Sequence, residues 1–229
     1  MAKAGLLVAT AVAALLANSA SAGTNSAPRV AKVRPGLTML WNQNSPDVGG
    51  ADSQNFTSGS FPNYDSAGAD DFVVPAGQTW TINEVDVSGF YYTGSGPSAS
   101  ENITFYKNQK GKRGGIDTPG KLVKYGTFTD LHCTENNGSF SCMLPGQGNK
   151  DKHYPTLKAG HYWVSFVVNC TFNGGCGEWW WGSTGSINND AAEWEDPGGG
   201  WPVCPTWNTM SNCWQWPYDF AFDLQGSSN

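Results

Sequence analysis

Two glutamates separated by one tryptophan are the best candidates for catalysis in this sequence. Glu193 and Glu195 stand in the segment AEWEDPGGGW, and residues two positions apart in a strand point to the same face. Hydrolysis of a glycosidic bond needs two carboxyl groups about 5 to 10 Å apart. The pair is therefore compatible with a glycoside hydrolase that uses Glu193 or Glu195 with a second acid. The alternative is an acidic, solvated loop.

No other catalytic signature accompanies this pair. The sequence contains no G-x-S-x-G or H-E-x-x-H motif and no phosphate-binding glycine loop before a helix. Three histidines, His132, His153 and His161, are scattered along the chain, and a partly exposed structural histidine is the more common case. We therefore expect a non-catalytic protein rather than an enzyme.

Aspartates near both ends of the predicted domain are candidate metal ligands. Asp70 and Asp71 lie in YDSAGADDF, and Asp219 lies in the closing segment. Ca²⁺ takes about six to eight oxygen ligands, which carboxylates supply well. If the first and last strands are neighbours, Asp70 or Asp71 meets Asp219, which predicts a structural Ca²⁺ site and no other cofactor. The alternative is that these aspartates cap turns.

Tryptophan is abundant and concentrated towards the C terminus. Eight of the eleven tryptophans follow residue 178. Indole is too large to bury easily and prefers a partner for its N–H, so a dense set in loops favours a semi-exposed aromatic surface. Flat rings of this kind stack on the apolar faces of sugars. The predicted ligand-binding surface consists of Trp194, Trp201, Trp207, Trp214 and Trp216.

The segment EWWWG is expected to contribute to the core instead. A strand directs Trp179 and Trp181 to one face and Trp180 to the other, so that at least one face is buried. We predict that Trp80, Trp163 and either Trp180 or the Trp179/Trp181 pair are core residues.

Six cysteines follow the N-terminal 22 residues, and an even number in an exported chain predicts three disulfides. A zinc site is the weaker interpretation, because no pair has the tight spacing of a structural zinc knuckle. The spacing suggests neighbouring pairs but does not prove the connectivity. These pairs are Cys133/Cys142, Cys170/Cys176 and Cys204/Cys213.

The N terminus indicates export. Residues 1–22 combine Lys3, an apolar run too short to span a bilayer, and the cleavage pattern Ala20-Ser21-Ala22, which is typical of a signal peptide. Residues 23–36 are expected to be a flexible leader or a short propeptide, and residues 37–229 a single domain. We therefore predict a secreted, extracellular protein.

The negative net charge restricts the classes of molecule that the protein is expected to bind. A formal net charge of −6 argues against nucleic acid and anionic membranes, which are bound mainly through cationic side chains. We expect a monomer with no membrane span.

If the source is eukaryotic, four N-x-Ser/Thr sequons predict glycans. They are Asn55, Asn102, Asn137 and Asn169.

These candidate residues must be positioned by strands. From Leu37 onward, short runs rich in β-branched and aromatic residues alternate with turn residues, among 29 glycines and 13 prolines. The segment TINEVDVSGF alternates with one slip that is compatible with a β-bulge. No segment sustains a helical apolar period. The pattern predicts an all-β fold, an antiparallel β-sandwich of jelly-roll type with long disulfide-stabilised loops.

Roughly residues 37–226 also carry aromatic, glycine and acidic residues in a pattern that is known from other proteins. Its matching residues are Ala69-Asp70-Asp71-Phe72, Val74-Pro75, Gly77, Trp80, Ile82, Val85, Val87, Gly89, Gly94, Gly96-Pro97, Phe105-Tyr106 and the segment GHYWVS at 160–165, followed by AAEWEDPGGGW, CPTW and DFAFDLQG. The pattern resembles secreted β-sandwich domains of bacterial extracellular proteins. The resemblance implies the fold and an accessory or adhesive role, and it defines no catalytic residues.

We therefore predict a secreted, non-catalytic binding module that recognises a glycan or another cell-surface ligand through its tryptophan-rich loops. One alternative is a secreted glycoside hydrolase that uses Glu193 or Glu195. The other is an extracellular structural or host-interaction protein whose tryptophans serve only packing.

Overall fold

The computed structural model describes residues 33–46, 49–57, 61–112 and 115–229. The predicted signal peptide and most of the predicted leader lie outside these residues. Arg34 belongs to the last part of the leader, and its guanidinium binds the Glu84 carboxylate at 2.6 and 2.8 Å. Its backbone N–H also donates to Gln225 Oε1 at 2.8 Å. The domain therefore includes residues before the predicted boundary at Leu37.

The described chain forms strands in two sheets, with little helix. The strands are β1 Thr38–Asn42, β2 Gly50–Asp52, β3 Gln54–Phe56, β4 Ala67–Val87, β5 Gly89–Tyr91, β6 Ser100–Gln109, β7 Thr118–Leu131, β8 Thr134–Asn136, β9 Ser139–Met143, β10 Thr156–Cys170, β11 Trp179–Gly182, β12 Glu193–Glu195, β13 Asn208–Thr209 and β14 Phe222–Ser228. A short helix, α1, spans Met210–Trp214, and 3-10 turns span Pro62–Tyr64 and Phe172–Gly174.

The larger sheet has the strand order β1-β14-β4-β10-β6-β7, with β3, β8, β9, β12 and β13 paired beside this path. The smaller sheet has the order β2-β11-β5. All pairs are antiparallel except β3 with β10. The predicted all-β antiparallel fold is confirmed, and jelly-roll connectivity stays a prediction. No helix in the described part of the chain is long and apolar enough to cross a membrane.

Strand β4 organises the larger sheet, because it pairs with β9, β10, β12 and β14. Its alternating residues explain this position, since Ile82, Val85 and Val87 are all fully buried. The predicted slip in this alternation is a bulge: Glu84 pairs with Gln225 and Ile82 with Gly226, which leaves Asn83 without a partner on β14.

The core contains the tryptophans that the alternation of EWWWG predicts. Trp179 and Trp181 are fully buried, whereas Trp180 is half-buried on the other face of β11. Trp80 belongs to the same core. Trp163 is also fully buried, as predicted, but it lies outside this core cluster, because its strand position directs it to the opposite face of the larger sheet.

The three predicted disulfides are confirmed. They join Cys133 to Cys142, Cys170 to Cys176 and Cys204 to Cys213, which are the neighbouring pairs. Each bridge therefore closes a short loop instead of joining distant strands.

Replacing both Cys204 and Cys213 by serine is expected to lower the free energy of unfolding by about 2–3 kcal/mol, because the bridge restricts the unfolded chain. Urea denaturation of the oxidised protein measures the loss. The Cys133/Cys142 pair is the matched comparison, since both pairs are separated by 9 residues and loop closure predicts equal losses. A loss below about 1 kcal/mol would contradict the prediction.

Candidate functional site

The larger sheet presents one face, here called the site face, on which acidic, aromatic and polar side chains converge. Trp163 pairs with Asp71 on one side and with Tyr106 on the other, so these three side chains point the same way. Glu193 pairs with Ala69, two residues from Asp71 on the same face. The site face comprises Asp71, Thr104, Tyr106, Asn108, His161, Trp163, Glu193 and Glu195.

A histidine at the centre of the site face contacts three carboxylates. His161 Nε2 lies 2.5 Å from Asp71 Oδ2, and its Nδ1 lies 3.7 Å from Asp190 Oδ2 and 4.0 Å from Asp117 Oδ2. Burial alone would lower the pKa of His161, but these carboxylates raise it overall. Burial also raises the pKa of Asp71, against the opposing effect of His161. The neighbouring carboxylates therefore favour the protonated form of the imidazole.

Glu193 is the buried group of the site face whose hydrogen bonding is least complete. It is fully buried, and neither carboxylate oxygen has a hydrogen-bond partner. Burial raises its pKa to about 8, and the charges of Asp190 and Glu195 add to this effect. Burial therefore favours the protonated form of this carboxyl.

The predicted pair of glutamates lies on one strand, as the sequence suggested. Glu193 and Glu195 are the first and last residues of β12, so their side chains share a face. Burial raises the pKa of the half-buried Glu195, and the backbone N–H of Trp207 opposes this rise. Because Glu193 has no exposed surface, the geometry does not favour hydrolysis of a bound sugar by this pair.

The aspartates predicted to bind Ca²⁺ come close together in the structure. Strand β14 lies beside β4, and Asp70 accepts hydrogen bonds from the backbone of Phe220 at 2.6 Å and from Gln43 at 2.8 Å. Asp219 accepts one from the backbone of Asn188 at 2.5 Å. Protein donors occupy some of these carboxylate oxygens, whereas Asp71 Oδ1 and Asp219 Oδ1 are buried without a hydrogen-bond partner. The structural Ca²⁺ site therefore stays a prediction.

Two clusters with metal-ligand spacing occur within the described ranges. One consists of Asp71, His161 and Asp190, and the other of Glu101, Cys133 and Cys142. The second is unsuitable for a metal because both of its cysteines form a disulfide. Sequence reasoning identified Asp71 but missed His161 and Asp190. The only sequence signal for His161 was its place beside the aromatic strand segment YWVSF.

Two of the five tryptophans predicted to form a surface are buried, which corrects their placement. Trp194 is fully buried and Trp201 is 9% exposed. Trp214 packs edge-on against both, with ring centroids 5.1 and 5.4 Å apart. The indole N–H of Trp194 donates to the backbone oxygen of Asp52 at 2.7 Å. Trp194 and Trp201 therefore belong to the core cluster, and Trp214 packs against it.

Trp207 is packed differently from the other four tryptophans of the predicted surface. Trp214 and Trp216 are half-buried and pack against the core cluster, whereas half-buried Trp207 lies outside it. Its ring meets Tyr106 edge-on at 6.2 Å, at the rim of the site face. Only this member of the predicted surface joins the site face.

The sequon asparagines lie in two different settings. Asn55 and Asn102 each donate to Asn169 Oδ1, at 2.8 and 3.1 Å, and Asn169 is 7% exposed. Asn137 is exposed in the turn between β8 and β9. Asn137 is therefore the most accessible of the four.

Comparisons with known protein families, with curated proteins and with solved structures found no match to this chain. The functional inference therefore rests on the side chains of the site face and on the residues that border it.

Proposed function

We propose that the protein is an exported, non-catalytic module that binds a glycan on the site face. The observation that carries this proposal is the half-exposed pair of Tyr106 and Trp207 beside the carboxylate of Glu195. Aromatic rings offer large contact areas at low entropic cost, and a neighbouring carboxylate can accept hydrogen bonds from sugar hydroxyls. The three disulfides support export.

The aromatic pair is held in place before a ligand arrives. Tyr106 stands in the middle of β6, and Trp207 directly precedes β13 in the loop that the Cys204–Cys213 bridge closes. The backbone N–H of Trp207 interacts with Glu195, which fixes the loop against β12. Such preorganisation reduces the entropy that is lost on binding.

The charge of the site face favours neutral sugars. Glu195, Asp117 and Asp190 are all at least partly exposed, and the whole chain has a formal net charge of −6. Uronic acids and sulfated sugars would be repelled by these carboxylates. The ligand class that fits is therefore a neutral polysaccharide or a neutral glycan of a cell surface.

A panel of neutral and acidic glycans, followed by calorimetric titration of the best ligand, tests the proposal. We expect saturable binding of a neutral glycan. Trp207→Ala and Tyr106→Ala should each weaken it at least about tenfold, because each removes one stacking ring.

Trp180→Ala is the matched control, since Trp180 is also half-buried and stacks on an aromatic ring, Tyr92, but on the smaller sheet. No saturable binding to any glycan would contradict the proposal. So would equal losses in the Trp207 and Trp180 variants.

A further inference from the structure

Three carboxylates lie beside the single imidazole of His161. Asp71, Asp117 and Asp190 all lie within 4.0 Å of its imidazole. In the ranges that the structure describes, no Lys or Arg forms an ion pair with any of these three acids. Asp117 also accepts hydrogen bonds from Asn108 and from the backbone of Gly111, and Lys110 attracts it. Asp71 and Asp190 share His161 as their nearest cation, so a bound metal ion would relieve the repulsion between these two carboxylates.

Three of these groups are close enough to share one ion. One ligand atom each from Asp71, His161 and Asp190 lies within 4.8 Å of the others. Two ligand atoms on a tetrahedral Zn²⁺ are about 3.4 Å apart, as its bond lengths of about 2.0–2.2 Å require. Zn²⁺ would replace the direct contact of His161 Nε2 with Asp71, whose 2.5 Å is shorter than this spacing, and Asp190 would have to move from Nδ1 towards the ion. The half-exposed Asp190 is free to make such a movement, since its side chain is 44% exposed.

Glu193 provides independent evidence for a ligand. Both of its carboxylate oxygens are buried without a hydrogen-bond partner, although nearly all buried polar atoms in proteins have one. The strand register places Glu193 on the same face as Asp71, and the chain leads back from Glu193 to Asp190 within three residues. Glu193 therefore lies on the face that carries the cluster, and a cation bound on this face would supply the partner that its carboxyl lacks.

We propose that Asp71, His161 and Asp190 bind one Zn²⁺ ion, with Glu193 on the same face as the candidate fourth ligand. One imidazole and carboxylate oxygens suit Zn²⁺, and the nitrogen ligand favours Zn²⁺ over Ca²⁺. The residues come from β4, β10, β12 and the segment before β12, so the ion would tie that segment to the sheet. The site shares Asp71 with the predicted Ca²⁺ site but includes neither Asp70 nor Asp219.

Calorimetry on the full-length, chelator-treated protein with ZnCl₂ tests this proposal, with CaCl₂ as a parallel titration. We expect one equivalent of Zn²⁺ to bind and Ca²⁺ to bind at least tenfold more weakly. Asp190→Ala and His161→Gln should each weaken Zn²⁺ binding at least tenfold, whereas Asp151→Ala, at an exposed position away from the cluster, should leave it unchanged.

A second readout uses Co²⁺, whose visible absorption spectrum reports tetrahedral coordination. Far-UV circular dichroism of the metal-free variants confirms that each one is folded. Absence of stoichiometric Zn²⁺ binding would overturn the proposal, and so would wild-type affinity in both variants or binding of Ca²⁺ alone. All titrations are made without glycan, so their outcome is independent of the glycan proposal.

Discussion

Trp181→Ala lowers the free energy of unfolding by about 3–5 kcal/mol, the loss expected when a buried tryptophan is reduced to alanine. Trp181 is fully buried, stacks on Phe220 with ring centroids 4.7 Å apart, and donates its indole N–H to the backbone oxygen of Ala221 at 2.9 Å. The substitution removes this packing and leaves a cavity between the two sheets. Guanidinium denaturation followed by circular dichroism measures the change.

The neighbouring Trp180→Ala is the matched control, because it changes the same residue type in the same strand. Trp180 is half-buried and packs on Tyr92 at 4.5 Å, so its loss should remain below about 2 kcal/mol. Equal losses in the two variants would contradict the assignment of one face of β11 to the core.

The second large effect is a decrease in stability as the pH rises from about 4 to about 7. Asp52 is fully buried in β2, and burial raises its pKa from 3.8 to about 7 against the opposing hydrogen bond from Ser66. Burial likewise raises the pKa of Asp223 to about 7, with a further contribution from Asp86. At pH values between about 4 and about 7, each of these carboxyl groups keeps its proton in the folded protein but has lost it in the unfolded chain. Raising the pH therefore favours unfolding.

Asp52→Asn should remove a large part of this pH dependence. A rise of about three pH units in one pKa corresponds to about 4 kcal/mol, because each unit is worth about 1.4 kcal/mol. An asparagine can still accept the hydrogen bond from Ser66 without carrying a charge. We expect the variant to match the wild type near pH 4 and to be more stable by a few kcal/mol at pH 8. Urea denaturation at a series of pH values measures both curves.

Asp151→Asn is the control for this comparison, since Asp151 is exposed and should leave the slope unchanged. A wild-type stability that rises between pH 5 and 8 would contradict the prediction, as would parallel curves for Asp52→Asn and the wild type.

The glycan and Zn²⁺ proposals concern adjacent parts of one face but depend on different residues. The aromatic rim of Tyr106 and Trp207 carries the first, and the cluster around His161 carries the second. Asp190→Ala should therefore abolish tight Zn²⁺ binding without removing either aromatic ring. Trp207→Ala should affect glycan binding alone.

Local patterns in the sequence determined the strands, the bulge and the disulfides. The alternation of TINEVDV predicted the buried face of β4 and one slip, which the structure places at Asn83. The alternation of EWWWG predicted that Trp179 and Trp181 share one face. Cysteines 6 to 9 residues apart pair with their neighbours. These features depend on residues close together in the chain, so local patterns indicate them, although the cysteine spacing alone leaves the connectivity open.

Only the tertiary structure shows which residues come together in the candidate site. Asp71 and His161 are 90 residues apart and meet because β4 pairs with β10 in one particular register. Shifting that register by one residue would send His161 to the other face of the sheet. Burial of Trp194 and Trp201 likewise depends on Trp214 packing against both. Composition predicts that aromatic side chains will cluster, but long-range register and packing decide which of them remain exposed to a ligand.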